Sequence, residues 1–340
     1  MKPLVSVIIP VYNTKFYLKE AIDSVIDQKE FIHEIILIDD GSTDGSGELL
    51  EELYSKIPYI KILHTKNQRQ GPARNLGTSI STGNFIYYFD SDDLVSPGLF
   101  KAFHDTISSH PNLDIFCFSC LPFVDPNYQT DSETRKLLES TEYYLRKISA
   151  LCKTGEEAFN LLYPLKSFSP LPYLYLFRKS VITNNKIGFR SIRLEDEEFV
   201  FQLFLHAGET LISNDVYCKR RMREGSTMQL NRCFADMFGY MKTIETLEKL
   251  RQIEHLKPET KINLLNKIQV LVKAIIFMKV SSNIKLNSEE KMIYKTSLAP
   301  YVNNNLRLFF YYHTYAFEYK LRMLKQNLFR YRSFYYKSLR

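Results

Sequence analysis

The sequence lacks any apolar stretch long enough to cross a membrane. Its most apolar run, residues 270–280, falls short of the roughly 18 residues that identify a spanning helix, and Lys273 and Lys279 interrupt it. A strand pattern starts at Leu4, which leaves no room for a secretory leader before it. We therefore expect a cytoplasmic protein that is associated at most peripherally with the inner face of the membrane.

Glycine is missing where two common nucleotide-binding folds need it. The turn after the first predicted strand, residues 10–15, reads PVYNTK, without the glycines that let a backbone approach a pyrophosphate. A Gly-Lys-Ser or Gly-Lys-Thr loop is absent from the whole sequence. These absences argue against a classical dinucleotide-binding domain and against a P-loop enzyme.

Cysteines are few and irregularly spaced, at positions 117, 120, 152, 218 and 233. An odd number without a repeated spacing does not suggest a disulfide framework, and it fits a reducing compartment. Cys117 and Cys120 form a CxxC pair, but they fall inside a predicted strand, without a second pair or a following helix. We predict buried free thiols at these positions.

Strands and helices alternate along the N-terminal third of the chain. Apolar, β-branched and aromatic runs predict strands, and helical three- and four-residue spacing predicts helices between them; the strands fall at 4–9, 34–38, 60–63 and 85–89. Such alternation is typical of a doubly wound, mostly parallel sheet. Ligands of such sheets bind beyond the carboxyl ends of the strands, where the polar clusters of this sequence lie.

The densest acidic cluster, Asp90-Ser91-Asp92-Asp93, follows the strand predicted at 85–89. Three carboxylates this close repel one another, so a cation is expected among them. Because the candidate ligands are all hard oxygens, the sequence favours Mg²⁺ or Mn²⁺ completed by substrate phosphate. The alternative is that Ser91 or Asp92 caps the next helix, with the acids facing its positive end.

Six segments, taken in order, resemble the motifs of a known family. They are SVIIPVYN (6–13), IDDGSTD (38–44), GPARNLG (71–77), DSDD (90–93), LEDEEF (194–199) and YCKRRMREGST (217–227). Together they resemble the family 2 glycosyltransferases with the GT-A fold, of the type that builds bacterial surface polysaccharides.

The resemblance implies a fold and a division of the chain. We expect an α/β fold with a GT-A-type doubly wound, mostly parallel, Rossmann-like sheet and a C-terminal helical extension. The implied catalytic domain is 1–228, with a nucleotide-sugar part at 1–105 and an acceptor part at 106–228. Residues 229–340 are expected to form a helical, basic and aromatic region.

The resemblance also assigns the donor site. The implied nucleotide-binding residues are Pro10, Tyr12, Asp40, Arg74, Asn75, Asp90, Arg223 and Ser226, and the implied metal ligands are Asp92 and Asp93. An aromatic face at Tyr12 suits a base, a carboxylate at Asp40 suits a uracil N–H, and the forked donors of Arg74 suit a diphosphate. The plainer alternatives are a strand-end core residue at Tyr12 and a turn former at Asp40. Which of Asp92 and Asp93 binds the metal stays open.

The segment LEDEEF matches the family's acidic catalytic motif. The resemblance makes Asp196 the general base that takes a proton from an acceptor hydroxyl, with Glu195 as second candidate. Attack opposite the leaving group then inverts the anomeric carbon in one displacement. The alternative is an ordinary acidic helix start, and both descriptions are compatible.

The implied activity is metal-dependent transfer of a hexose from a nucleotide-diphosphate sugar, expected to be UDP-linked. The implied acceptor is a hydroxyl of a glycan or lipid-linked glycan of the bacterial surface, such as capsule or lipopolysaccharide. A net charge of +7 agrees with anionic partners, and we expect no nucleic-acid partner. Two alternatives are a sugar-phosphate nucleotidyltransferase, whose glycine-rich GxGxR-type loop is absent here, and a non-catalytic scaffold subunit.

The last forty residues, 301–340, combine many Phe and Tyr residues with basic residues and the single acid Glu318. This composition is typical of a helix that lies on an anionic membrane surface. It is equally compatible with a helical interface in a homo-oligomer.

Overall fold

The computed structural model of the chain describes residues 4–140, 142–225, 231–317 and 319. The chain divides into two compact units. The first comprises Met1–Leu230 and Glu254–Asn263, and the second comprises Asn231–Ile253 and Leu264–Arg340.

The first four strands of the first unit form a parallel sheet in the order β3-β2-β1-β4. The strands are β1 (Val5–Val11), β2 (Glu34–Asp39), β3 (Ile60–His64) and β4 (Phe85–Tyr88). The helices that connect them are α1 (Lys15–Ile26), α2 (Ser46–Tyr54) and α3 (Gln70–Ile80). β1, β2 and β4 are buried along their whole length, as their near-continuous apolar sequences predict for a sheet covered on both faces.

The sheet continues beyond β4 with mixed strand directions, in the order β8-β6-β9-β5, and β7 pairs with β9. These strands are β5 (Leu94–Val95), β6 (Ile115–Val124), β7 (Ala150–Cys152), β8 (Tyr175–Arg178) and β9 (Thr210–Met222). The accompanying helices are α4 (Leu99–Ser109), α5 (Ser132–Glu139), α6 (Gly155–Leu162), α7 (Lys179–Asn184) and α8 (Asp196–His206). β8 is antiparallel to both β4 and β6, a reversal that the sequence does not predict.

The cysteine prediction is confirmed. Cys117 and Cys120 lie buried on β6, and all five cysteines of the chain are free thiols.

Helix α3 packs unusually close to β1. A Cβ atom added at Gly77 would lie 2.4 Å from Cγ2 of Ile8, a distance that real Cβ atoms do not reach. Only glycine at this position lets the helix lie so near the strand. The close packing brings the N-terminal turn of α3, with Gln70 and Arg74, to the carboxyl edge of the sheet.

The opposite edge is held by the buried carboxylate of Glu34, at the start of β2. Its Oε1 accepts hydrogen bonds from Ser6 Oγ (2.7 Å) and Thr82 N (2.6 Å), and its Oε2 lies 2.7 Å from Lys61 Nζ. Burial acts to raise the pKa of Glu34, but the hydrogen bonds from Lys61, Ser6 and Thr82 outweigh it and lower the pKa to about 2. Glu34 thus links β1, β2, β3 and the turn before β4.

We expect Glu34→Gln to lower the free energy of unfolding at pH 7 by about 2 kcal/mol, a figure reduced for the exposure of Lys61. Because the folded-state pKa lies below the unfolded value, this contribution is present above pH 4.5 and is lost as the pH falls towards 2. Urea unfolding of both proteins at pH 7 and pH 3 measures it, with the exposed Glu52→Gln as control. A gap as large at pH 3 as at pH 7 would contradict the assignment.

The second unit is helical. It contains α9 (Phe234–Arg251), the part of α10 (Pro258–Ser281) from Leu264 onwards, and α11 (Ser288–Val302). Asn287 caps α11, where it accepts a hydrogen bond from Glu290 N while Glu290 bonds back to the Asn287 backbone. The helical character predicted for the C-terminal region, residues 229–340, is confirmed for the described residues of that region.

Residues 306–317 are also helical, and Leu306, Phe310 and Phe317 on this helix are exposed. Residues 318 and 320–340, which include most of the bases of the predicted membrane-surface segment, lie outside the described residues. Within the described part of the chain, none of the helices combines the length and the apolar character that a membrane crossing requires.

Candidate active site

The loops after β1, β2 and β4 are tied together at the carboxyl edge of the sheet. The backbone N–H of Asp40 donates to the carbonyl of Val11 (2.8 Å), and Asn13 Oδ1 accepts from the N–H of Thr43 (2.8 Å). Thr14 lies at the N-cap position of α1, but its hydroxyl is 3.0 Å from that of Ser91 and makes no capping bond. The three polar clusters that the sequence predicts at strand ends therefore lie at one edge.

Tyr12 and Asp40 lie at neighbouring strand ends, with Pro10 in β1 opposite Ile38. Tyr12 is 48% exposed, so its ring is open to a ligand. Asp40 is buried, and its Oδ1 accepts hydrogen bonds from Gln68 N (2.8 Å) and Thr65 Oγ1 (3.2 Å). Burial raises the pKa of Asp40, while these hydrogen bonds act in the opposite direction. The pair offers an aromatic face beside a fixed carboxylate.

Asp90 and Asp196 meet at the guanidinium of Arg74. The Arg74 side chain has no exposed surface; its Nη2 lies 2.9 Å from Asp90 Oδ1, and its Nη1 lies 2.5 Å from Asp196 Oδ1. Glu195 Oε1 is 3.7 Å from the same Nη1. Gln70 adds a further hydrogen bond to Asp90 Oδ1, at 2.6 Å. The resemblance implied a diphosphate contact for Arg74. In the structure its guanidinium instead lies against the carboxylates of Asp90, Glu195 and Asp196.

The segment that carries Glu195 and Asp196 is held against α3. Asn75 donates to the carbonyl of Phe189 (2.7 Å) and accepts from its N–H (3.0 Å), so its amide is occupied by the protein backbone. A Cβ atom at Gly71 would lie 2.9 Å from Cβ of Phe189 and 3.0 Å from Cγ of Glu195. Glycine at position 71 therefore allows Glu195 to lie directly over the first turn of α3.

The acidic residues of LEDEEF also form a helix start, as the alternative description predicts. Glu195 occupies the N-cap position of α8 without a side-chain capping bond, and Asp196 begins the helix. Leu194, just before them, has a φ of 62°, a left-handed conformation that is strained for a branched residue. Strained backbone of this kind often lies at functional sites.

The two acids of this segment differ in electrostatic environment. Burial and the neighbouring Asp196 raise the pKa of Glu195 to about 8. Burial also raises the pKa of Asp196, but the Arg74 guanidinium opposes that shift and favours the carboxylate. At neutral pH Glu195 therefore holds a proton, while Asp196 is the better placed to accept one.

Asp92 and Asp93 point in different directions. Asp92 Oδ2 accepts a hydrogen bond from Arg223 Nε (2.7 Å), and 23% of the Asp92 side chain is exposed. Asp93 is buried, and its Oδ1 accepts from the backbone N–H of Arg221 on β9 (2.8 Å). Burial and repulsion from Asp92 raise the pKa of Asp93 well above its usual range. Asp92 is thus the more exposed of the two carboxylates, whereas Asp93 anchors β9.

Arg221, near the end of β9, and Arg223, just after the strand, border this cluster. Arg221 donates from Nε to the carbonyl of Asp92 (2.9 Å), and its guanidinium lies between the rings of Tyr17 and Phe123. The guanidinium of Arg223 lies 4.9 Å from the centre of the Tyr17 ring. Ser226, the other predicted contact in this segment, lies outside the described residues.

Among the described residues, the possible ligands of a divalent cation do not form a cluster. These residues contain no group of three or more His, Cys, Asp or Glu side chains arranged around a common point. Mg²⁺ and Mn²⁺ are often held by one or two carboxylates together with substrate phosphates, so a single outward carboxylate suffices. Asp92 fits this donor set, since it is a hard oxygen ligand at the edge of the site.

The family model and the relatives that match this chain are all described as glycosyltransferases. The model described as Glycosyl transferase family 2 matches residues 6–166. Cholesterol galactosyltransferase of Borreliella burgdorferi is 30% identical over 300 residues, which cover 86% of this chain and 79% of the relative. Glycosyltransferase GlyG of Streptococcus pneumoniae is 27% identical over 235 residues, which cover 67% of this chain and 74% of the relative.

Solved structures show the same fold at low identity. S. aureus TarS 1-349 in complex with UDP-GlcNAc superposes with a TM-score of 0.67 and 19% identity, over 89% of this chain and 82% of that chain. The mannosyltransferase PcManGT of Pyrobaculum calidifontis, in complex with GDP-Man and Mn²⁺, gives a TM-score of 0.52 and 15% identity, over 93% of this chain and 84% of that chain. The predicted GT-A-type fold with its helical C-terminal region is confirmed.

Proposed function

Because this chain belongs to glycosyl transferase family 2, we propose that it transfers a hexose, with inversion, from a UDP-sugar to a hydroxyl of a bacterial cell-surface glycan. Residues 1–228 are proposed as the catalytic domain, with the donor bound by 1–105 and the acceptor by 106–228. The nucleotidyltransferase alternative is set aside, since the chain is a glycosyltransferase.

The observation that carries the proposal is the meeting of the donor-side carboxylate Asp90 and the base candidate Asp196 at Arg74, within 2.9 Å and 2.5 Å of its guanidinium nitrogens. These residues come from distant parts of the sequence. Their convergence supports the proposal that a proton acceptor lies beside the sugar-nucleotide site, which is the arrangement that a direct displacement needs.

The proposed nucleoside pocket consists of Pro10, Tyr12 and Asp40. The exposed Tyr12 ring offers a stacking face for uracil, and the fixed Asp40 carboxylate offers an acceptor for the imide N–H. Arg223 and Ser226 are proposed to contact the diphosphate. Asn75 acts indirectly in this scheme, by holding the backbone of Phe189 in place.

We assign the metal contact to Asp92, because Asp93 is buried and engaged by β9. When bound, Mn²⁺ or Mg²⁺ supplies positive charge next to the departing diphosphate. Arg223 adds a second positive charge at the same point, from its position beside Asp92. The solved relative with GDP-Man and Mn²⁺ supports the use of a divalent cation.

Asp196 is proposed as the general base. It must be ionised to take the acceptor proton, and Arg74 favours that state, whereas the raised pKa of Glu195 keeps this neighbour protonated at pH 7. The attacking oxygen then forms its bond to the anomeric carbon as the bond to the UDP oxygen breaks, and the proton passes to Asp196.

Thermal unfolding with a panel of nucleotides tests the donor class. We expect UDP with Mn²⁺ to raise the melting temperature by several degrees, since a ligand at 100 times its Kd stabilises by about 2.7 kcal/mol. GDP, CMP and NAD with Mn²⁺, and UDP without metal, are expected to give smaller shifts. An equal shift for UDP with and without metal would remove the metal from the proposal, and no shift with any nucleotide would favour a scaffold role.

A lipid alcohol is a second candidate acceptor. The relative that matches 86% of this chain is named for galactosyl transfer to cholesterol, and Leu306, Phe310 and Phe317 are exposed in the helix at 306–317. We propose that 301–340 contacts anionic membrane peripherally, which would bring either a lipid or a lipid-linked glycan to the enzyme. Product analysis with glycan and lipid acceptors distinguishes the two classes.

A further inference from the structure

The guanidinium of Arg74 is closed off from solvent between aromatic rings and carboxylates. It is completely buried, and it lies 5.2 Å from the centre of the Phe189 ring and 5.9 Å from that of Tyr88. Its two terminal nitrogens bind different carboxylates, one on each side of the site. Arg74 is thus fixed by packing as well as by charge.

The helix under this guanidinium is anchored as well. The carbonyl of Arg74 accepts a hydrogen bond from Thr78 Oγ1 (2.8 Å), whose oxygen lies 2.6 Å from the hydroxyl of Tyr88. Arg74 Nε has no hydrogen-bond partner among the described residues, although it is buried. A buried donor without a partner costs free energy, so the arrangement is not explained by stability alone.

We propose that Arg74 is a positioning residue of the transfer reaction, which fixes the Asp196 carboxylate for proton transfer and joins it to Asp90 of the donor site through one guanidinium. This inference rests on the proposed function, in which Asp196 is the base. Only an arginine reaches both carboxylates with separate nitrogens, since a lysine has a single ammonium group at the end of a flexible stem.

The charges that face Asp196 come from three elements. Arg74 lies on α3, Asp90 follows β4, and Glu195 and Glu197 belong to the start of α8. Arg74 favours the ionised form of Asp196, Asp90 and Glu197 disfavour it, and Glu195 and Asp196 repel one another when both are charged. Loss of Arg74 and loss of Asp90 should therefore move the titration of Asp196 in opposite directions.

The test is the pH dependence of kcat at saturating donor, measured for Arg74→Lys and Asp90→Asn. Lysine keeps the positive charge, but its single ammonium cannot hold Asp90 and Asp196 together. We therefore expect Arg74→Lys to lower kcat at least 10-fold and, because Asp196 loses its close ion pair, to move the acidic limb of the profile to higher pH by about one unit. Asp90→Asn should raise KM for the donor and move the same limb to lower pH. Arg251→Lys, in a partly exposed ion pair with Glu248 on α9, is the matched control and should leave the limb in place.

A limb that stays in place in Arg74→Lys, with UDP binding retained, would overturn the inference. If Arg74→Lys does not fold, Asp90→Asn provides the test, since the Asp90 side chain is 23% exposed and its substitution should be tolerated. An acidic limb that moves to higher pH in Asp90→Asn, or does not move, would contradict the coupling of Asp90 to Asp196 through Arg74. Failure of the proposed function gives a different result: Asp196→Asn would then transfer sugar at the wild-type rate.

Discussion

Asp196→Asn is expected to lower kcat by about 10²–10⁴-fold, the usual contribution of a positioned general base. The amide has nearly the shape of the carboxylate but cannot take the acceptor proton. UDP binding with Mn²⁺ should persist, since Asp196 lies on the base side of Arg74 and not among the nucleoside contacts. Steady-state transfer kinetics and UDP-induced thermal shifts measure the two effects separately.

The control for this substitution is Asp27→Asn, an identical change at an exposed position after α1. Glu195→Gln should have a smaller effect at pH 7, because the raised pKa of Glu195 means that the side chain is already neutral there. If Glu195→Gln removed activity and Asp196→Asn did not, the roles of the two acids would be reversed.

Asp92→Ala should abolish the metal-dependent part of UDP binding. Each kcal/mol of ligand stabilisation shifts the melting temperature by about 2–4 °C in domains of 150–250 residues, so several degrees of UDP–Mn²⁺ stabilisation should be lost. Transfer activity should fall with it, because charge on the departing diphosphate loses a stabilising cation. The melting temperature without ligand should change little, since Asp92 is partly exposed.

Asp105→Ala, at an exposed acid on α4, serves as the matched control for Asp92→Ala. Asp93→Ala should behave differently from Asp92→Ala and destabilise the free protein, because it removes the oxygen that accepts the Arg221 N–H and anchors β9. An unchanged UDP–Mn²⁺ shift in Asp92→Ala would show that the cation is held elsewhere.

The sequence predicts the strand ends of the site well, because apolar runs and the polar residues after them are local features. The positions of Tyr12 and Asp40, the acidic segment after β4 and the thiols of β6 all follow from such patterns. Local patterns cannot tell which of two adjacent carboxylates points inwards, and the burial of Asp93 depends on β9, far along the chain.

The role of Arg74 could not be predicted for the same reason. Its contact with Asp196 spans 122 positions in the sequence and depends on the close approach of α3 to β1. The sequence signals that existed were the two glycines of GPARNLG, which indicate close packing but not its partner. The antiparallel insertion of β8 between β4 and β6 was likewise invisible, since strand direction depends on the long connections between strands.

The shared guanidinium also restricts how this enzyme can be recombined with its relatives. A chimera with a crossover between β4 and α8 takes its donor half and the proposed base Asp196 from different parents, and both must fit around the one buried guanidinium of Arg74. Donor and acceptor preferences are therefore not freely interchangeable modules here. Crossovers placed after α8 keep Asp90, Arg74 and Asp196 from one parent, but they exchange only the last part of the proposed acceptor region at 106–228.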